Sequence, residues 1–256
     1  MRECPPEAAS SGAVSNAERN ASHKRVLRLS LCLLTWNEIE GCRIDLPRIA
    51  SNEFDEFEEI YAVDAGSTDG TVEYLLEKGI PVHRQPVRGY NQAYICAFEK
   101  CTTDALIIFH PKGNIDPGEI NKFRLLLEGH DLVIASRMVR GARNEEDHRL
   151  FRPRKWFVLG LAVVSAMIWR GKGSMIWDVL HGFRAMRREA FFAIDPLPAG
   201  LSIDLEMVVR CYRRGLQMVE FPITEHGRGW GETHFKAFPT GKAMLRYLMR
   251  ELRRDP

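Results

Sequence analysis

Short apolar runs along this chain stop abruptly at polar, turn-forming residues, and amphipathic stretches follow them. Val26–Leu34 is apolar enough for a central parallel strand and ends in Thr35-Trp36-Asn37-Glu38. A helix is expected over Cys42–Ala50, then a second strand through Ile60, Ala62 and Val63 that stops at Asp64. Gly66, Ser67, Asp69 and Gly70 turn the chain into a helix that starts at Thr71. Ile80–Arg84 reads as a short third strand, and Gly89–Lys100 as a helix with Ala93, Cys96 and Ala97 on one face. Ala105–Phe109 is a fourth strand that stops at His110-Pro111-Lys112-Gly113-Asn114. This alternation predicts an α/β fold, a Rossmann-like, mostly parallel sheet with helices on both faces.

Leu132–Ala135 predicts a further strand closing on Ser136-Arg137, followed by a basic loop and the apolar run Trp156–Trp169. As a helix that run rises about 21 Å, short of the roughly 30 Å of a hydrocarbon core, so it does not span a bilayer. It reads as a core or an interfacial helix, and the flanking Arg152, Arg154, Lys155, Arg170 and Lys172 favour the interface. Asp178–Met186 resumes the fold, Leu205–Arg214 is a helix ended by Gly215, and Gln217–Ile223 is a last strand. Lys242–Arg254 is amphipathic, with Met244, Leu245, Leu248, Met249 and Leu252 on one face and Lys242, Arg246, Arg250 and Arg253 off it. Packing on its own domain and contact with a membrane suit it equally. The expected organisation is a poorly ordered tail over 1–25, one domain over 26–236 and a basic amphipathic helix over 237–256.

Composition narrows this little. Charged residues at 27% and hydrophobic ones at 45% are ordinary for a soluble globular protein. A net charge of +2 argues against a general nucleic-acid binder, and no nucleic-acid partner is expected. The cysteines, at 4, 32, 42, 96, 101 and 211, form no CxxC pair and suggest buried thiols in a reducing compartment. Residues 1–25 lack the apolar core of a signal peptide, so the expected location is cytoplasmic, peripheral on a membrane face.

The candidate chemistry centres on Glu59–Thr71 (EIYAVDAGSTDGT). A carboxylate at the carboxyl end of a parallel strand, before a tight turn into a helix, lies where open α/β sheets bind ligands. Alone it reads as an ordinary turn with Asp69 or Thr68 capping the helix. Taken with Thr35–Glu38, Ser136-Arg137, Asp178–Ala185, Glu220–Ile223 and Arg228–Thr233, in that order, it resembles a family 2 glycosyltransferase of the GT-A fold. The dolichyl- or polyprenyl-phosphate mannose synthases are the subgroup it is most similar to. In their D-x-x-S-G-F-R-A block, His181 occupies the Ser position.

The resemblance implies transfer of a sugar from a nucleotide-sugar donor, with inversion, to a lipid-phosphate acceptor at a membrane surface. It implies donor contacts from Thr35, Asn37, Glu38, Asp64, His110 and Arg137. Asp178 and Arg228 would serve the reaction, and Glu206 and Arg184 the acceptor. One departure stands out. After the fourth strand the family carries D-A-D, which holds a divalent metal, whereas this chain has His110-Pro111-Lys112. A hard cation needs oxygen ligands, and a lysine repels it, so no metal or other cofactor is expected. Lys112 is then the candidate to meet the charge that builds on the leaving diphosphate. His181 and His234 lack ligand-like spacing, and a zinc site is not expected. Two alternatives remain open: a soluble acceptor, and a catalytically inactive module that binds nucleotide sugar.

Overall fold

The protein was analysed as a computed structural model that describes residues 26–49, 57–144, 147, 151–227 and 237–254. Strand β1 (Leu29–Thr35) is buried along its whole length because helices cover both of its faces. Its side chains alternate between two cores, Leu31 and Leu33 on one side and Cys32 and Leu34 on the other, as the two-residue period of a strand requires. Six more strands complete the sheet: β2 (Glu59–Asp64), β3 (Val82–Arg84), β4 (Ala105–Phe109), β5 (Leu132–Ser136), β6 (Arg184–Arg187) and β7 (Met218–Pro222). Their order is β3-β2-β1-β4-β6-β5-β7.

Every strand pair is parallel except those of β6, which runs antiparallel to both β4 and β5. The carboxyl ends of six strands and the amino end of β6 therefore share one edge of the sheet. That edge is where the polar strand ends singled out in the sequence converge.

Helices α1 (Ile39–Arg48), α2 (Thr71–Glu77) and α4 (Asn121–Leu127) cover one face. Helices α3 (Tyr90–Lys100), α5 (Pro153–Trp169), α7 (Ile203–Arg214) and α8 (Ala237–Leu252) cover the other, and α6 (Arg188–Ala193) follows β6. The predicted β4 matches residue for residue. Helix α1 begins three residues before the expected start, because Asp69 Oδ2 accepts its first amide, that of Ile39, across the fold at 3.1 Å. Strand β6, α4, α6 and the short 3₁₀ turn Pro117–Ile120 were not expected. In β6 two arginines bracket Ala185 and Met186, which hides a central strand from a search for apolar runs.

Helix α5 is both core and surface. Val158, Leu161, Ala162 and Ala166 are buried, while Trp156, Val163, Val164, Met167 and Ile168 are exposed. Among the described residues no helix is long and apolar enough to cross a membrane. Cys32, Cys42, Cys96, Cys101 and Cys211 are free and buried, as expected of them.

Candidate active site

Two turns at the ends of β1 and β2 are stitched together. Thr35 and Asp64 are register partners on neighbouring strands, and Thr35 Oγ1 donates to Asp64 Oδ2 at 3.0 Å. Ser67 Oγ donates to the same oxygen, and the amides of Gly66 and Ser67 donate to Oδ1, each at 2.8 Å. Asn37 holds a left-handed conformation (φ 54°), and its Oδ1 accepts the Thr68 amide. Four hydrogen bonds fill the acceptor sites of the Asp64 carboxylate. Asp64 thereby builds the turn at the end of β2.

Asp69 caps both helices that leave these turns, accepting from Ile39 N of α1 and from Thr71 N of α2. Burial works against its charge, yet the hydrogen bonds from Thr71 and the Ile39 amide hold it below the usual carboxylate range. Glu38 is buried beside this seam, its amide donating to Thr71 Oγ1. At the rim the Arg88 guanidinium stacks 3.9 Å from the Trp36 ring centre.

A second cluster joins the ends of β4, β5 and β7. Arg137, just after β5, meets Asp178 in a two-pronged ion pair, Nε to Oδ2 at 2.8 Å and Nη2 to Oδ1 at 3.0 Å. Its Nη1 donates to Glu225 at 3.1 Å, and Asn114 of the β4 turn donates to the other oxygen of Glu225 at 3.1 Å. Although burial opposes ionisation, Arg137 lowers the Asp178 pKa to about 2. Burial likewise opposes the charge of Glu225, which Arg137 and, more weakly, Lys112 keep ionised. Lys112 and Arg137 thus act on one carboxylate. Glu220 of β7 accepts the backbone amides of Trp177 and Asp178, fixing the segment that delivers Asp178.

Asp178 is fully buried and committed to Arg137, which it orients. His181 donates from Nδ1 to Ala135 O, and burial, then Arg137, depress its pKa to about 4. It is a neutral imidazole at pH 7.

Behind these turns lies a polar interior. Arg184 is fully buried, with Nε donating to His181 O at 2.8 Å and Nη1 to Asp204 O at 2.8 Å. Glu206 is equally buried and accepts from Asn91, Ser202 and the Leu197 amide. Arg184 ties β6 to α7 through Asp204 O, and Glu206 ties α7 to α3 and to the segment before α7. Tyr90 and Tyr94 donate to the two oxygens of Asp204 at 2.9 and 3.0 Å. His110 packs along the Tyr90 ring, with centroids 6.2 Å apart. A Cβ on Gly182 would come within 2.7 Å of His110 Nε2, so a larger residue there would displace the imidazole. Glu225 and Asp204 escaped the sequence reading, although each sits one or two positions from a quoted motif. Arg228 lies outside the described residues.

The resemblance implies a divalent metal at the end of β4, and the residues there do not fit one. His110 and Lys112 replace the oxygen donors that such an ion needs. The next carboxylate along the chain, Asp116, is exposed and paired with Arg48 at 3.2 Å. Among the described residues, no group of three or more His, Cys, Asp and Glu side chains is arranged to hold an ion.

With this geometry in hand, the chain can be set beside known proteins. Undecaprenyl-phosphate mannosyltransferase of Micrococcus luteus is 27% identical over 86% of this chain and 92% of its own length. The low-salt glycan biosynthesis hexosyltransferase Agl6 of Haloferax volcanii is 27% identical over 86% of this chain, which spans only 53% of that protein. It spans 64% of glycosyltransferase AglJ from the same organism. Glucosyl-3-phosphoglycerate synthase of Mycobacterium tuberculosis, crystallised with Mn2+, UDP and phosphoglyceric acid, superposes with a TM-score of 0.68 at 17% identity. That superposition covers 90% of this chain and 80% of the synthase, and it establishes a shared GT-A fold. Residues 30–194 match the family described as Glycosyl transferase family 2, and this chain belongs to it.

Proposed function

We propose that this protein transfers a sugar from a nucleotide-sugar donor to a polyprenyl or dolichyl phosphate, with inversion and without a divalent metal. The observation that carries the reading is a lysine, in place of a carboxylate pair, at the strand end where the diphosphate of a GT-A donor leaves. Departure of a nucleoside diphosphate builds negative charge, and a preorganised cation offsets it in the transition state. Lys112 supplies that cation, with Arg137 beside it through the shared Glu225. A phosphate monoester acceptor is already ionised near neutral pH, its second pKa being about 6. It needs orientation more than a base, which suits a site whose Asp178 is held by Arg137. The names of the mannosyltransferase relatives support a lipid phosphate as acceptor.

The outer face of α5 supports work at a membrane surface. From Trp156 to Ile168 its exposed residues are Trp156, Gly160, Val163, Val164, Met167 and Ile168, with no charge among them. Arg154 lies at one end, and Arg170 and Lys172 at the other. An apolar stripe between cations suits insertion among anionic headgroups.

The deciding experiment mixes the protein with GDP-mannose or UDP-glucose and a polyprenyl phosphate, with and without EDTA. Donor-dependent thermal stabilisation and product in both conditions are expected. Loss of product in EDTA with recovery in manganese ends the metal-free reading. Donor binding without product under any condition favours the inactive nucleotide-sugar-binding module.

A further inference from the structure

One face of α1 grips the turn that carries Lys112. Gly41, Asp45 and Arg48 are spaced four and three residues apart and so share a stripe of the helix. They meet Pro111, Gly113 and Asp116 in turn. A Cβ on Gly41 would lie 1.9 Å from the Pro111 carbonyl oxygen, so helix and turn touch backbone to backbone. Asp45 Oδ2 accepts the Gly113 amide at 2.7 Å. Arg48 Nη2 lies 3.2 Å from Asp116 Oδ1.

The three ties differ in strength. The Arg48–Asp116 pair is solvent-exposed on both sides and contributes little. The Gly41 contact permits approach but does not attract. The Asp45 bond is charge-assisted and made by a fully buried carboxylate to the residue next to Lys112. Gly113 itself is left-handed (φ 67°), so this amide is presented by a turn that needs holding. Meanwhile Asp45 Oδ1 meets no hydrogen-bond donor among the described residues, an arrangement that costs stability and that packing alone would not favour. The charged groups acting on Asp45 are Arg48 of its own helix, Asp116 beyond the turn and Glu38 just before the helix. The other end of α1 is anchored to the β2 turn through Asp69 and Thr71.

We infer that Asp45 is the positioning residue for Lys112: through the Gly113 amide it holds the ammonium where the donor diphosphate leaves, the task a bound metal would otherwise do by coordination. The inference rests on the proposed role of Lys112. It is tested by steady-state transfer from GDP-mannose or UDP-glucose to a polyprenyl phosphate, for Lys112→Ala, Asp45→Ala, Asp45→Asn and the double Asp45→Ala/Lys112→Ala, each well below its Tm. A misplacement of about 1 Å can cost about a hundredfold, so Asp45→Ala should lower kcat roughly ten- to a hundredfold. Asp45→Asn, which keeps an acceptor for Gly113, should recover most of that loss. The double variant should be no slower than Lys112→Ala, because a misplaced lysine and an absent one fail at the same step.

If Asp45→Ala does not fold, Asp45→Leu, close in volume and without an acceptor, takes its place. Losses that multiply in the double variant, a parent-like Asp45→Ala, or an Asp45→Asn as slow as Asp45→Ala each overturn the inference while leaving the proposed function standing. A Lys112→Ala variant as fast as the parent overturns the metal-free reading and this inference with it.

Discussion

Arg137 and Asp178 face each other through two hydrogen bonds of 2.8 and 3.0 Å, and the Arg137 backbone amide adds a third at 2.9 Å. A carboxylate held in this way is an anchor and not a base. Replacing it leaves a mostly buried guanidinium with Glu225 alone. Removing one partner of a buried pair typically costs about 3–5 kcal/mol, so Asp178→Ala should lose that much in chemical denaturation. Because the Asp178 pKa is lowered to about 2, its contribution is fully present above pH 4 and is lost as the pH falls towards 2. A pH–rate profile with a basic limb assignable to Asp178 would contradict this role.

Lys112→Ala should slow sugar transfer by about a hundred- to a thousandfold, the usual effect of deleting one charge-stabilising contact. Lys112→Asp should be slower still in the absence of metal. Both variants should melt near the parent, since Lys112 is only half-buried. Rates that depend on manganese in the parent would show that an ion, and not this ammonium, meets the diphosphate.

Two buried groups oppose each other in acid. His181, with a pKa depressed to about 4, binds fewer protons folded than unfolded, so it lowers stability as the pH falls from about 6.5 to 4. Asp45, raised to about 6 mainly by burial, does the reverse between about 6 and 4. Each is worth about 3 kcal/mol at most. His181→Asn should therefore flatten the loss of stability between pH 7 and pH 4.5, and Asp45→Asn should steepen it. Parallel pH–stability curves for all three proteins would refute the assignment.

Gly41→Ala reverses an ordinary expectation. In a helix interior, alanine usually gains about 1 kcal/mol over glycine. Here the new methyl would sit 1.9 Å from the Pro111 carbonyl, and forcing α1 off the turn should cost about 1–3 kcal/mol instead. Thermal melts decide the sign, and sugar transfer should slow with it.

Met167 is 81% exposed, near the carboxyl end of the apolar stripe on α5. Met167→Glu should leave Tm unchanged and weaken sedimentation with anionic vesicles by about ten- to a hundredfold, the worth of one buried apolar side chain. Raising the salt should weaken the parent as well, through Arg154, Arg170 and Lys172. Undiminished binding of the variant would move the contact elsewhere, with the basic face of α8 around Arg246, Arg250 and Arg253 the next surface to change.

The residues in order determined the alternation of strands and helices, the strand ends that share an edge, and the loss of the metal motif. Those features rest on side-chain period, turn formers and residue type, all of which are local. Asp69 was legible for the same reason, its capping of α2 being two residues away in the chain. The tertiary structure alone decided that Arg184 and Glu206 are interior, that Asp64 builds its turn, and that Glu225 joins Arg137 to Asn114 of the β4 turn. It also decided that Gly41 and Asp45, unremarkable within α1, lie against the β4 turn. A charged residue carries the same signature in one dimension whether it faces a ligand or a buried partner. Only the packing of distant segments supplies the partner, and with it the role.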